Sequence, residues 1–388
     1  MRPSNSPDRI LVIGREAGPI VQLLKLNLKN TKIGSVDVLG NMETRKYSEW
    51  KFSVKKQVPD SSLDRKKRKT TVDLLYELAV IMLEEEKFDQ VIPLAPFHKH
   101  PHKVKQLRNT CKIPLSNQKS LEISFSNFVF INHLINEFAH LSSFYKQVET
   151  NKVLEKDNEG LVVTDVDRFL ITKETKHKWK KDLGGKGYFL PFNDIHCAGF
   201  FSSSESTKFL GFQTLKPPDG HEFFHNDLEK NSYYPFVENP FITSGISTLT
   251  CVIQQLKLVG LITIFFGVIE NQIVPFSCNT LPDENIDLWM KKTYNKITPH
   301  LVKYVKNSDT FTKNPLFGYK IPIYPSKLFL VPEIPPELAT QRNLPGISAH
   351  NDHPICAICC TSSSFQNVRR EMLERRERVQ GILDRINL

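Results

Sequence analysis

The residues best suited to chemistry lie between Phe212 and Thr250, in FQTLKPPDGHEFF and, after a charged gap, YYPFVENPFITSGISTLT. A short apolar run ends on Lys216 and turns through Pro217, Pro218, Asp219 and Gly220; a second apolar run, from Tyr233, is broken at Glu238, Asn239 and Pro240. An ammonium group leaving a strand edge beside a turn can hold a phosphate, and the backbone of a run such as Phe236 and Val237 can hydrogen-bond a flat heterocycle. Together they predict a nucleotide cleft, with Lys216, Asp219, Gly220, Tyr234, Phe236, Val237 and Glu238 as its candidate contacts.

The elements that must position these residues are bounded by composition. A chain of 388 residues, 40% hydrophobic and 24% charged, has room for two or three ordinary globular domains. No apolar run approaches the roughly 18 residues that span a bilayer, and the longest, Leu258 to Ile269, reads as a buried strand. No membrane partner is expected. MRPSNSPDRILVIG has no signal-peptide apolar region and enters a strand directly, so the expected location is the cytoplasm. The net charge of +10 gathers in Lys66 to Lys69 and Lys173 to Lys186, which read as solvated loops. Neither carries an aromatic-interleaved RNA motif, and an anionic substrate or nucleotide explains the bias equally well, so nucleic acid is not the expected partner. Seven cysteines do not make a disulfide framework. In HNDHPICAICC, His350, His353, Cys356 and Cys359 could surround zinc. The alternation of Ile355, Ala357 and Ile358 with the cysteines favours a buried strand in which Cys is a small hydrophobe, and no metal ligand is assigned.

RILVIG, Arg9 to Gly14, reads as a strand buried on both faces of a parallel sheet. GREAG lacks the third glycine of a dinucleotide fingerprint. Ile20, Leu23, Leu24 and Leu28 fall at helical spacing, and Ser35 to Leu39 forms the next strand, with Asp37 near its end. Thr71 to Glu86 is predicted helical with Leu74, Leu75, Leu78 and Ile81 on one face, and Phe88 to Ala95 is the third strand. His98, His100 and His102 follow it, where open sheets place ligand sites, but without a local carboxylate they read as a solvated loop. A short segment, Cys111 to Leu115, and a helix from Ser126 to Tyr145 come next. The glycines of Gly184 to Gly187 could cradle phosphate or merely join two elements. Gly245 to Gln254 reads as an outgoing strand, Val259 to Ile269 as a strongly apolar one, Asp287 to Val305 as a helix. The closing helix, Gln366 to Leu388, sets Val368, Met372, Val379, Leu383 and Ile386 against an arginine- and glutamate-rich wet face, with an RNA-binding helix as the alternative.

The lysine-proline turn followed by YPFVENP resembles the phosphate lysine and adenine hinge of the ATP-grasp superfamily, in its biotin carboxylase and archaeal carboxylate-amine ligase branches. SVDVLGNMETRKYS and IPLSNQKSLEISFSNFVFINHLINEF resemble the domain that precedes the grasp, and VIENQIVPFSCNTLP resembles a segment beyond its hinge. KLFLVPEIPP with LPGISAHNDHPICAICC resembles a terminal β-rich unit. The resemblance implies an α/β chain: a parallel, Rossmann-like pre-ATP-grasp domain at 1–120, an α+β ATP-grasp-like domain at 121–325, and a small β-rich unit with a final helix at 326–388. It implies ATP, a carboxylate substrate not identified by the sequence, and carbon-nitrogen ligation through an acyl phosphate, with Lys216 at the phosphates and Phe236 to Glu238 at adenine and ribose. Where the family places a further lysine at the exit of the first domain, this chain has Asn127. The family's E-x-N-P-R strand, which holds Mg²⁺, is echoed only by Asn314-Pro315 after Lys313, and Asp219, Glu238 and Glu270 lack the expected context. Ligands for Mg²⁺ are therefore not found. The alternative is a degenerate, non-catalytic relative that binds a nucleotide or a partner.

Overall fold

The computed structural model describes residues 8–15, 17–28, 30–38, 40–54, 70–94, 97–113, 118–150, 153, 159–165, 167–171, 185–192, 195–203, 205–215, 232–234, 240–281, 317–324, 329–340, 342–343, 345–346, 348–349 and 354–386. They fall into two units: Met1–Leu115 with Pro282–Leu388, and Ser116–Leu281. Lys66 to Lys69, the helix expected at Asp287 to Val305, Asn314-Pro315, His350 and His353 lie outside the described residues.

The first unit opens with four parallel strands, β1 (Arg9–Ile13), β2 (Lys32–Asp37), β3 (Trp50–Ser53) and β4 (Gln90–Pro93), in the order β3-β2-β1-β4. Ile10 to Ile13 are fully buried, as a continuous apolar strand between two helical layers must be. Helices run over Gly18–Asn27, Met42–Tyr47, Thr71–Glu85 and Pro101–Thr110. Asn41 and Thr44 form a capping box on the second, Thr70 and Asp73 on the third. The buried face of Thr71–Glu85 is Val72, Leu75, Ala79 and Met82, while Ile81, expected inside, is 43% exposed. Both stripes are apolar, and only packing against the sheet chooses between them. The expected histidine loop is a short 3₁₀ turn, Phe97–Lys99, running into the helix Pro101–Thr110. A carboxylate does reach that helix from another element: Asp73 Oδ1 lies 2.7 Å from Lys103 Nζ.

The second unit begins with helices Gln118–Ser124, Asn127–Glu137 and Ala139–Ser142, so the long helix expected from Ser126 breaks at Phe138. A four-stranded antiparallel sheet follows, β5 (Lys146–Glu149), β6 (Gly160–Val163), β7 (Arg168–Ile171) and β8 (Lys186–Leu190), ordered β5-β8-β6-β7. A larger antiparallel sheet comprises β9 (Ile195–Ser202), β10 (Thr207–Leu215), β11 (Ser232–Tyr234), β12 (Gly260–Ile269) and β13 (Gln272–Asn279), ordered β13-β12-β9-β10-β11. Glu270 and Asn271, both with positive φ, make the two-residue turn between β12 and β13.

The strand expected at Gly245 to Gln254 is instead the helix Pro240–Gln255. Proline suits its first position, and Leu249, Val252, Ile253 and Leu256 form a fully buried helical stripe that outweighs the β-branched composition. Gly245 allows the close approach: a Cβ there would sit 1.8 Å from Ile273 Cδ1.

The first unit resumes with β14 (Phe317–Ile323), β15 (Phe329–Leu330), β16 (Ser348–Ala349), β17 (Cys356–Ser362) and the helix Phe365–Ile386. β14 and β17 pair antiparallel, and Val368, Met372, Val379 and Leu383 pack with Ile355, Ile358 and Cys360. Cys356 and Cys359 are buried on β17, and burial pushes the Cys356 thiol up to about 12. Arg342 from this part pairs with Glu43 of the helix Met42–Tyr47, Nη2 to Oε1 at 3.3 Å. Among the described residues, no helix is long and apolar enough to cross a membrane.

Candidate functional site

Lys216, Asp219, Gly220, Phe236, Val237 and Glu238 lie outside the described residues, and Tyr234 is described only as the last residue of β11. Their flanks are placed. β10 and β11 are antiparallel neighbours, with Thr214 opposite Tyr233 and Leu215 opposite Ser232, so both sequence words issue from adjoining strands of the larger sheet.

One face of that sheet carries polar groups where a core would be apolar. Residues paired across antiparallel strands point to the same side, and residues two apart along a strand share that side. Cys197, Phe265 and Ser277 form one such row across β9, β12 and β13, and Gly199, Thr263 and Asn279 form the next. Cys197, Phe265, Ser277, Thr263 and Asn279 are all buried. Thr280, just past β13, donates from Oγ1 to Ser124 Oγ at 2.9 Å. The opposite face is apolar and meets the helix Pro240–Gln255 through Ile273.

Arg168, the first residue of β7, reaches from the smaller sheet onto this polar face. Its guanidinium carbon lies 4.2 Å from the Phe265 ring centroid, and Nη1 donates to Ser277 Oγ at 3.4 Å. Burial holds the Cys278 thiol well above its ordinary range, with Arg168 pulling weakly the other way. Phe192 closes the row beyond Phe265: a Cβ on Gly267 would come within 2.4 Å of its ring. A cation, a hydroxyl and an amide on one face can bind an oxyanion.

Two expectations near this face change meaning. Asn127 is bonded to the backbone: its Nδ2 donates to Thr164 O at 3.0 Å and its backbone N–H to Asp165 O at 2.8 Å, tying the helix Asn127–Glu137 to the β6–β7 turn. In the stretch Gly184 to Gly187, the described part is tied to its neighbours in the smaller sheet. Gly185 O accepts from Thr150 N at 3.0 Å, and a Cβ on Gly187 would lie 3.0 Å from Val163 O.

No family model matches the sequence, and no curated protein matches it. Solved structures do match. The biotin carboxylase-beta-gamma-ATP complex from Campylobacter jejuni aligns at a TM-score of 0.70 and 11% identity, over 94% of this chain and 90% of that one. An L-amino acid ligase from Bacillus licheniformis aligns at 0.65 and 12%, over 96% and 98%. The biotin carboxylase domain of Hydrogenobacter thermophilus 2-oxoglutarate carboxylase, complexed with MgADP, ADP and bicarbonate, aligns at 0.69 and 10%, over 96% and 90%.

The chain has the ATP-grasp fold. The likeness spans nearly the whole length of each protein, so the order of elements expected from the resemblance is present: a parallel sheet first, antiparallel sheets after it. In this chain the sequence reading missed Arg168, Phe265, Ser277 and Asn279. The one available signal was Ser277 and Asn279 alternating with Phe276 and Cys278, a half-polar pattern inside an otherwise apolar strand.

Proposed function

We propose that this chain binds ATP in its second unit and uses it to join a carboxylate to an amine. The carboxylate oxygen takes the γ-phosphoryl group, giving an acyl phosphate and ADP; the amine nitrogen then attacks the acyl carbon and phosphate leaves. Lys216, beside the turn at Asp219 and Gly220, neutralises phosphate charge, and Tyr234 with Phe236 to Glu238 holds adenine and ribose. The observation that supports this is the β10–β11 register, in which the strand before Lys216 and the strand ending at Tyr234 are antiparallel neighbours. The full-length likeness to an L-amino acid ligase supports the reaction class. The proposed division is 1–120, 121–325 and 326–388, with the β14–β17 pairing crossing its second boundary, and seven cysteines without a disulfide support a reducing, cytoplasmic setting.

Mg²⁺ fits the described residues poorly. Neither Gly260–Ile269 nor Gln272–Asn279 contains Asp or Glu, and no three His, Cys, Asp or Glu gather among the described residues.

The test is ADP formation by the purified chain with ATP, Mg²⁺ and a panel of amino acids. Turnover well above that of Lys216→Ala is expected; equal rates would remove ligation. A melting-temperature rise with ATP or ADP reports binding separately, and no rise with either would remove the nucleotide.

A further inference from the structure

We propose that the nucleotide phosphates in this chain are met by the Arg168 guanidinium instead of by a divalent cation held on β12 and β13. The inference rests on the nucleotide reading above and deepens it.

The ATP-grasp resemblance calls for a strand with glutamate two residues before asparagine and for a further, aspartate-bearing strand. The sequence reading sought that asparagine at Asn314-Pro315, outside the described residues; β13 offers another, Asn279, but Ser277 stands two residues before it, and the residue paired with Ser277 on β12 is Phe265. The nearest carboxylate in these strands' sequence is Glu270, on the hairpin turn five residues beyond Phe265, roughly 16 Å along an extended chain. A phenyl ring supplies no oxygen and a hydroxyl no charge, so the pair cannot replace two carboxylates around a hard cation that takes oxygen ligands. What the pair Phe265–Ser277 does receive is positive charge, stacked on the ring at 4.2 Å and bonded to the hydroxyl. A fixed guanidinium repels a second cation at the same place. It is also the side chain whose planar fork fits a phosphate best. Arg168 is half-buried, so its charge is held in place. Thr263 and Asn279, in the neighbouring row on the same face, extend the polar surface by a hydroxyl and an amide.

The experiment measures ADP affinity of the full chain by calorimetry in excess EDTA and in excess Mg²⁺, for the natural chain, Arg168→Ala and Arg168→Lys. The expected result is equal affinity in the two buffers for the natural chain. Arg168→Ala should weaken binding by roughly tenfold or more, the size of a charge-assisted hydrogen bond, with Arg168→Lys between them. The proposal is overturned by affinity that rises roughly tenfold or more with Mg²⁺, or by variants that bind like the natural chain. Should Arg168→Ala fail to fold, the buffer comparison on the natural chain and Arg168→Lys still decide. Absence of ADP binding in both buffers overturns the nucleotide reading itself and this inference with it; Mg²⁺-dependent binding overturns only the inference.

Discussion

Gly160 opens β6, the strand that aligns β7 and therefore Arg168. Its φ is +155°, and a Cβ there would lie 2.5 Å from the backbone carbonyl oxygen of Leu190 and 2.9 Å from two ring carbons of Phe189. Gly160→Ala therefore meets two penalties. Holding an L-residue at such a dihedral costs about 1–3 kcal/mol, and forcing a methyl against backbone that cannot rotate away costs about 1–3 kcal/mol more. The smaller entropy of the unfolded alanine chain returns only about 0.4–1 kcal/mol. The net loss should be about 3 kcal/mol. Gly185 is the control: its φ is +88° but no atom lies within 4 Å of its added Cβ, so Gly185→Ala should lose only about 1 kcal/mol. The assay is urea unfolding followed by circular dichroism and fitted for two transitions, since two compact units need not melt together. With m near 3 kcal/mol/M, Gly160→Ala should lower one midpoint by about 1 M and leave the other unchanged. If Gly160→Ala and Gly185→Ala unfold at the same urea concentration, the carbonyl contact plays no part and the reasoning is wrong.

Three further outcomes follow from the first unit and from the thiols. Arg342 and Glu43 have side chains only 15% and 9% exposed, and Glu43 Oε2 has no hydrogen-bond partner, so Arg342→Met should cost about 3–5 kcal/mol by leaving a buried charge unpaired. The double variant Glu43→Leu with Arg342→Met should lose less in the same urea assay. Asp73, bonded to Lys103 and to Thr70, has its carboxyl held well below the ordinary range. Because the folded value is the depressed one, its contribution is present above about pH 4 and disappears as pH falls toward the folded value; an acid titration of Asp73→Asn should lack that part of the loss. Only Cys251 is exposed among the seven cysteines, so a thiol reagent should titrate about one group in the native chain and all seven in denaturant.

How far the sequence could be read depended on whether one force dominated a segment. β1 and β12 were legible because burial on both faces leaves few polar positions in the strand: Ile10 to Ile13 and Ile262 to Phe266 are all buried, with Thr263 the one polar residue in these runs. The closing helix was legible for the opposite reason, its apolar residues being confined to one narrow stripe against a charged face. β3 was missed because Trp50 to Ser53 is a short edge strand with no fully buried residue, held by a Trp50–Phe88 ring contact from far along the chain. Pro240–Gln255 was misassigned because Ile242, Ile246, Val252 and Ile253 favour strands locally, whereas the packing of Gly245 onto Ile273 is a tertiary fact.

The candidate site divides in the same way, and a single irregularity shows why. Lys216 and the run to Glu238 announce themselves as turn and hinge chemistry, which is local. Arg168, Phe265 and Ser277 form a group only through register. Between Phe265 and Phe266 the β12–β13 ladder slips by one: Phe266 pairs with Pro275, but Phe265 pairs with Ser277, so Phe276 is the extra residue of a bulge. Without it, Phe276 would oppose Phe265, and Ser277 would oppose Ile264 on the face packed against the helix Pro240–Gln255. Asn279 would leave the Thr263 row by the same slip. The polar face therefore depends on one inserted residue that no periodicity rule reveals, and the hydroxyl that meets Arg168 is placed by that insertion.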